Sequence, residues 1–213
     1  MDLILLHACC GPCSIEPLRL LSQTEAKLAL VFVNPNIHPQ GEYQLRLAAL
    51  RDYATMVGCT LITAEYQPEQ WERAVGVFGG PYPIIPTDDC CQHNLLLRQK
   101  RCAACYRLRL SQTADLAVAE GYDTIGTTLT ISPYQFTELI IEELKRAAID
   151  HGLKALEDNY QDLFAASSKR SRELGMYNQR YCGCRFSEIE ADLERAARKE
   201  LRKQRRKQMA GTE

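Results

Sequence analysis

LILLHACCGPCS, residues 3–14, sets the architecture of the chain. The apolar run LILLH is too short for a helix, and Gly11-Pro12 breaks it before Leu18, Leu20 and Leu21 return at helical spacing. The stretch predicts a strand, a loop and a helix. Residues 28–37, LALVFVNPNI, repeat the design: a β-branched run ends at Asn34-Pro35, and residues 42–57 then have helical spacing. CTLITAEY, residues 59–66, predicts a third strand followed by a helix over 68–74, and DTIGTTLTISP, residues 123–133, a fourth ending in a Ser-Pro turn. Strands alternating with helices predict an α/β fold around a parallel sheet with right-handed crossovers. Helices are expected over 102–121, 136–151 and 170–174, with a last one starting near Ser187, where Glu190 stands three residues on as a capping box. Residues 76–100, rich in Gly and Pro, read as a long loop or lid beside the site.

Ten cysteines mark the chemistry, and seven fall in three tight groups: Cys9, Cys10 and Cys13; Cys102 and Cys105; Cys182 and Cys184. Neighbours one to three residues apart present sulfurs together to one centre more readily than they bridge distant elements. The seven therefore read as one metal region drawn from three parts of the chain. A zinc site built on the two later pairs would leave the first three unused, whereas a thiolate-rich set also suits an iron–sulfur centre beside a second metal or a redox pair. Cys59 reads as an inert buried thiol, and Cys90-Cys91 as a vicinal pair in an exposed loop.

With 213 residues the chain has the length of one compact domain, able to bury a core without covalent staples. No apolar stretch approaches the length a membrane span needs, and the start carries no basic lead, so a cytoplasmic protein with reduced thiols and no membrane partner is expected. The net charge of −1 conceals a segregated pattern. From Arg195 the run RAARKELRKQRRK is interrupted only by Glu200, which fits either a solvated terminal helix or a footprint for nucleic-acid phosphate. The division expected is an α/β metalloenzyme domain over 1–186 and a basic helix or tail over 187–213.

In an open parallel sheet, functional groups gather beyond the carboxyl ends of the strands. HACCGPCS, NPNIHP with the following Glu42, Tyr43 and Arg46, RCAACYRLRL, TTLTISP and YNQRYCGC, in that order, resemble the QueH-type epoxyqueuosine reductases over residues 3–184. The resemblance implies a Rossmann-like sheet of four to five strands similar to the ATP-pyrophosphatase (HUP-like) core, with a helical C-terminal region. It further implies reduction of the epoxide on epoxyqueuosine, the modified wobble guanosine of tRNA, with an external ferredoxin- or flavodoxin-like electron donor, a 4Fe-4S cluster and an adjacent mononuclear iron. The family's cysteine positions fall on Cys9, Cys10, Cys13, Cys102, Cys105, Cys182 and Cys184, with the division between the two centres open. This chain departs from the family at Gln135, where a lysine commonly follows the Ser-Pro turn, and in a short segment between Asp162 and Tyr177.

Wobble bases are read as splayed nucleotides, stacked on aromatic or Arg faces and hydrogen-bonded at their edges. Asn34, Asn36, His38, Tyr43 and Arg46 suit that reading, with hydroxyls from Thr127, Thr128 and Ser132, although a capped turn and a buried strand end explain the same residues. Tyr181, Tyr177 and Asp162 are candidate proton donors. Two other functions share these features: an ATP-dependent tRNA sulfur transferase, and a zinc-stapled RNA-binding module that is not an enzyme. The first needs a phosphate cradle where this chain has thiols and Pro12, which has no N–H to donate.

Overall fold

The computed structural model describes residues 2–82 and 90–210. Five parallel strands, β1 (Leu3–His7), β2 (Lys27–Phe32), β3 (Thr60–Thr63), β4 (Thr124–Thr127) and β5 (Lys154–Ala155), form one sheet in the order β3-β2-β1-β4-β5. The chain winds outward from β1 through β2 to β3, then returns to lay β4 on the other side of β1. The crevice beyond the carboxyl ends of β1 and β4 is therefore a topological switch point, where an open α/β sheet binds its ligands.

Side-chain alternation along β1 divides the core into two layers. Ile4 and Leu6, with Leu30 and Phe32 of β2, pack against α1 (Gly11–Leu21) and α2 (Gln40–Val57). Leu5, with Ala29, Val31 and Ile125, packs on the opposite face against Leu110, Ala114, Leu144 and Ala148 of α4 and α5. Apolar side chains on both faces explain why β1 and β2 read as continuous apolar runs; each buried leucine contributes about 1.5–3 kcal/mol. Here α3 is Pro68–Val75, α4 Cys90–Ala119, α5 Thr137–Asp150, α6 Phe164–Glu173 and α7 Arg185–Ala210.

The segment expected as a lid over 76–100 divides differently. Residues 76–78 make one 3-10 turn, 83–89 lie outside the described residues, and α4 already begins at Cys90. NLLLRQK carries good helix formers without Gly or Pro, so it propagates the helix of residues 102–119 toward the N-terminus. The side chains of Cys90 and Cys91 are outside the described set. The capping box at Ser187 is also replaced: α7 starts at Arg185, and the Cys184 sulfur accepts from the Ser187 N–H at 3.3 Å. Glu190 is drawn away from the helix start by Arg101, whose guanidinium donates to it at 2.5 Å with both side chains 2% exposed. Of residues 187–213, expected as a basic helix or tail, 187–210 belong to this continuous helix.

Arg101 also donates to the Gly80 carbonyl at 2.7 Å and lies over the Phe186 ring at 4.8 Å, so a single cation ties α4, α7 and residue 80 together. Glu190→Ala is expected to cost about 3–5 kcal/mol in urea unfolding, because it strands a buried charge, while the double replacement Arg101→Met with Glu190→Leu costs much less. Equal losses for the single and double variants would remove this account of the α4–α7 junction.

Candidate metal centre

Cys10 is the N-cap of α1: its backbone is extended, and its sulfur accepts the Cys13 N–H at 3.3 Å. Pro12 sits in the first turn, where a missing N–H costs the helix nothing. One helical turn then returns Cys13 to the same side, so the sulfurs of Cys9, Cys10 and Cys13 all lie within 4.8 Å of one another, with all three residues buried. Gln179 donates its amide N–H to Cys10 at 3.0 Å and to Cys13 at 3.5 Å.

Three buried thiolates this close repel strongly. Hydrogen bonds from Cys10 and Cys13, with Arg109 nearby, hold the Cys9 thiol well below its ordinary range. Burial pushes Cys10 up, and sharing hydrogen bonds with Cys10 and Cys9 pushes Cys13 up. The charged form is thus favoured at Cys9 and disfavoured at Cys10 and Cys13, and a bound cation would favour thiolate at all three. The donor set fits a thiophilic metal. His7 stands beside it but is spent on the sheet: burial draws its pKa down to about 3, and the neutral ring donates from Nε2 to the Val33 carbonyl while Nδ1 accepts from Thr127.

The remaining four thiols form a second group. Cys102 and Cys105 are three apart on α4 and share a face; Cys182 and Cys184 precede α7, with Cys184 at its N-cap. Burial pushes Cys102 and Cys105 up, and each also feels Cys182. Burial likewise pushes Cys184 up to about 12, with Cys182 and Cys105 adding to it. Trp71 closes one side, its indole N–H donating to the Cys105 sulfur at 3.3 Å. The two groups adjoin: Cys9, Cys13 and Cys182 line one cavity of about 420 Å³, and the Arg109 charge acts on both Cys9 and Cys105.

The Cys-Gly-Cys turn is seated by Arg46, which is 1% exposed. Its guanidinium donates to the Cys182 carbonyl at 2.8 Å, the Tyr181 carbonyl at 3.0 Å and Glu42 at 2.7 Å. Gly183 has φ +132°, and a Cβ there would meet Asn36 at 3.0 Å, Ile37 at 3.1 Å and Arg46 at 3.2 Å. The His38 N–H donates to the Gly183 carbonyl at 2.8 Å, completing the seat.

Several residues expected at the substrate are thus part of the framework. Asn34 donates to the Ala8 carbonyl at 2.9 Å and accepts from Arg109 at 2.5 Å; Tyr43 packs its ring against Phe32 and Tyr66; Thr127 holds His7. Thr128 is buried with its hydroxyl unpartnered, while Asn36 and His38 line a separate cavity of about 220 Å³ with Trp71 and Arg185. Ser132 alone of the eight lines the cavity of the cysteines. Tyr181 lines it too, its hydroxyl donating to the His38 carbonyl and its pKa raised by burial. Tyr177 instead donates to Glu42, and Asp162 is exposed on the 3-10 turn Gln161–Leu163, away from the lining.

The cavity is also lined by Arg195 and Arg198 of the basic run and by residues that the sequence did not single out. Arg98, Arg180, Arg195 and Arg198 make it basic, and Gln179 and Tyr134 line it. Tyr134 is 60% exposed and edge-on to Phe164 at 6.1 Å. Gln179, Arg180 and Tyr134 leave only their position beside YCGC or after the Ser-Pro turn as a trace in the sequence. Among the described residues no helix is long and apolar enough to cross a membrane.

The chain is similar to proteins named epoxyqueuosine reductase QueH from three bacteria. It is 30% identical to that of Staphylococcus epidermidis over 90% of this chain and 78% of the relative. It is 28% identical to the Dehalococcoides mccartyi protein over 88% and 93%, and 29% identical to that of Thermotoga maritima over 89% and 92%. A solved structure described as a predicted subunit of tRNA methyltransferase from Methanocaldococcus jannaschii overlays with a TM-score of 0.47 at 12% identity, covering 80% of this chain and 75% of that one, and adds nothing to the fold described above. The family model described as epoxyqueuosine reductase QueH matches residues 4–190, a span that takes in all seven clustered cysteines and the Arg46 seat, and the chain belongs to that family.

Proposed function

We propose that this protein is an oxidoreductase that reduces epoxyqueuosine in tRNA to queuosine. The observation that carries the reading is the buried group of Cys9, Cys10 and Cys13 beside a cavity lined by Cys9, Cys13, Cys182 and four arginines. Four thiols from Cys102, Cys105, Cys182 and Cys184 match the ligand count of a 4Fe-4S cluster, and the facial set of Cys9, Cys10 and Cys13 suits a single adjacent iron. Converting the epoxide to the alkene takes two electrons and two protons and releases the oxygen as water; a ferredoxin- or flavodoxin-like donor in the cytoplasm supplies the electrons. When bound, the cluster supplies electrons singly and the iron supplies Lewis acidity.

The protein's own residues do the rest. Arg180, Arg195 and Arg198 at the mouth neutralise phosphates flanking the wobble nucleotide, Tyr134 offers a ring face to the splayed base, and Ser132 offers a hydroxyl. The cavity floor is buried protein, so the epoxide end of the nucleotide is shielded from bulk water. Tyr181, a phenol protonated near neutral pH and made a still weaker acid by burial, is a donor suited to a strong base such as an alkoxide. The sulfur transferase reading loses its phosphate cradle here, since Pro12 has no N–H and the Cys13 N–H is bound to Cys10.

Anaerobically purified protein is expected to be brown, to contain iron rather than zinc, and to convert epoxyqueuosine to queuosine in tRNA nucleoside digests when given a reductant. A colourless zinc protein without turnover would establish the RNA-binding module instead. Cys10→Ser and Cys184→Ser are each expected to lower iron content and abolish turnover, whereas Cys59→Ser, half-buried beside β3, retains both; iron loss from the Cys59 variant would displace the site. Replacing Arg195 and Arg198 together with Gln is expected to weaken tRNA binding and reduce the slope of log K against log salt by about 1.4–1.8, with iron unchanged. An unaltered slope would detach α7 from the RNA.

A further inference from the structure

Trp71 is the only tryptophan in the chain. It is 4% exposed on α3, and its indole packs at 5.9 Å from the Phe186 ring in a small cluster with Cys105 and Cys184. An indole has one hydrogen-bonding group, a donor, and when buried it normally finds a strong acceptor. Here it is aimed at the Cys105 sulfur at 3.3 Å. A neutral thiol accepts weakly, whereas a thiolate accepts strongly; the buried N–H is well matched only when Cys105 carries charge, as a metal-bound sulfur does. The Arg109 charge also acts on this sulfur, but the indole is the group whose hydrogen bond reaches it.

We propose that Trp71 is a positioning residue for the four-thiol centre: its indole N–H donates to the metal-bound Cys105 thiolate and thereby raises the reduction potential of the cluster held there. Hydrogen bonds to ligand sulfurs withdraw charge and favour the reduced state. Their number and direction are set by the protein, and this one comes from a helix that contributes no ligand. The inference rests on the cluster assignment made above, but neither of its readouts involves epoxide reduction, so failure of the reductase reading leaves the test standing.

The test is a redox titration of the full-length, iron-loaded protein without tRNA. Trp71→Phe keeps an aromatic ring beside Phe186 and deletes the donor; a shift to more negative potential with iron content retained is expected. Because the tryptophan is single, growth with β-(3-benzothienyl)alanine replaces the same N–H by sulfur in an isosteric ring and changes no other residue. It should give the same shift. An unchanged or more positive potential in both proteins overturns the proposal, as does loss of iron in both, which would make Trp71 a packing residue alone. A second measurement needs no cluster: Co(II) added to the metal-free full-length protein should quench Trp71 emission, and Cys105→Ser should abolish the quenching. Quenching that persists in the serine variant, or none in the parent, overturns the N–H to metal-thiolate contact.

Discussion

The guanidinium of Arg46 is the constraint on which the site rests. It is buried and donates to two consecutive carbonyls of the turn that carries Cys182 and Cys184. Its charge is partnered by Glu42, itself held by Tyr177. A lysine could not span three acceptors in one plane, so this seat needs the forked geometry of arginine. Without it the turn loses both bonds to the Tyr181 and Cys182 carbonyls, leaving the His38–Gly183 backbone bond, the glycine packing and the contacts with Ser187.

Charge compensation runs through the whole region. Thiols are crowded into the switch point of the sheet, and each group is faced by cations or N–H donors: Arg109 between the groups, Arg46 near Cys10, Gln179 on Cys10 and Cys13, Trp71 on Cys105. Two of the cysteines also stand at helix N-caps, where the unsatisfied N–H groups and the helix dipole favour negative sulfur. Helices α1 and α7 thus both present their positive ends to the thiols, an arrangement suited to holding more negative charge than the apo side chains carry.

The layered α/β architecture was legible because its signals are local: apolar runs of strand length, closed by Gly-Pro or Asn-Pro, alternating with helical spacing. β5 was not, since two residues are too short to show a period, and the start of α4 was hidden behind a Gly- and Pro-rich stretch. The cysteines were legible as one region because their chemistry and close spacing survive without coordinates. The arginines were not. Arg101 and Arg109 look like any exposed helix cation until tertiary packing buries them, and Arg46, expected at the substrate by its position after NPNIHP, donates to the backbone of the turn that carries Cys182 and Cys184. Asn34, Tyr43 and Thr127 moved inward for the same reason, their polar atoms being needed by neighbouring backbone or side chains.

The seating of the Cys-Gly-Cys turn on the turn after β2 has a temporal side. Cys9 and Cys184 are separated by 175 positions, the difference of their numbers. At a synthesis rate of about 5–20 residues per second, roughly 10–35 seconds pass between the first sulfur leaving the ribosome's catalytic centre and the last. Until Cys184 is added the group of Cys102, Cys105, Cys182 and Cys184 is incomplete, and until residues 181 and 182 are added Arg46 lacks the carbonyls it binds. Assembly of the four-sulfur group therefore follows synthesis of all five strands of the sheet.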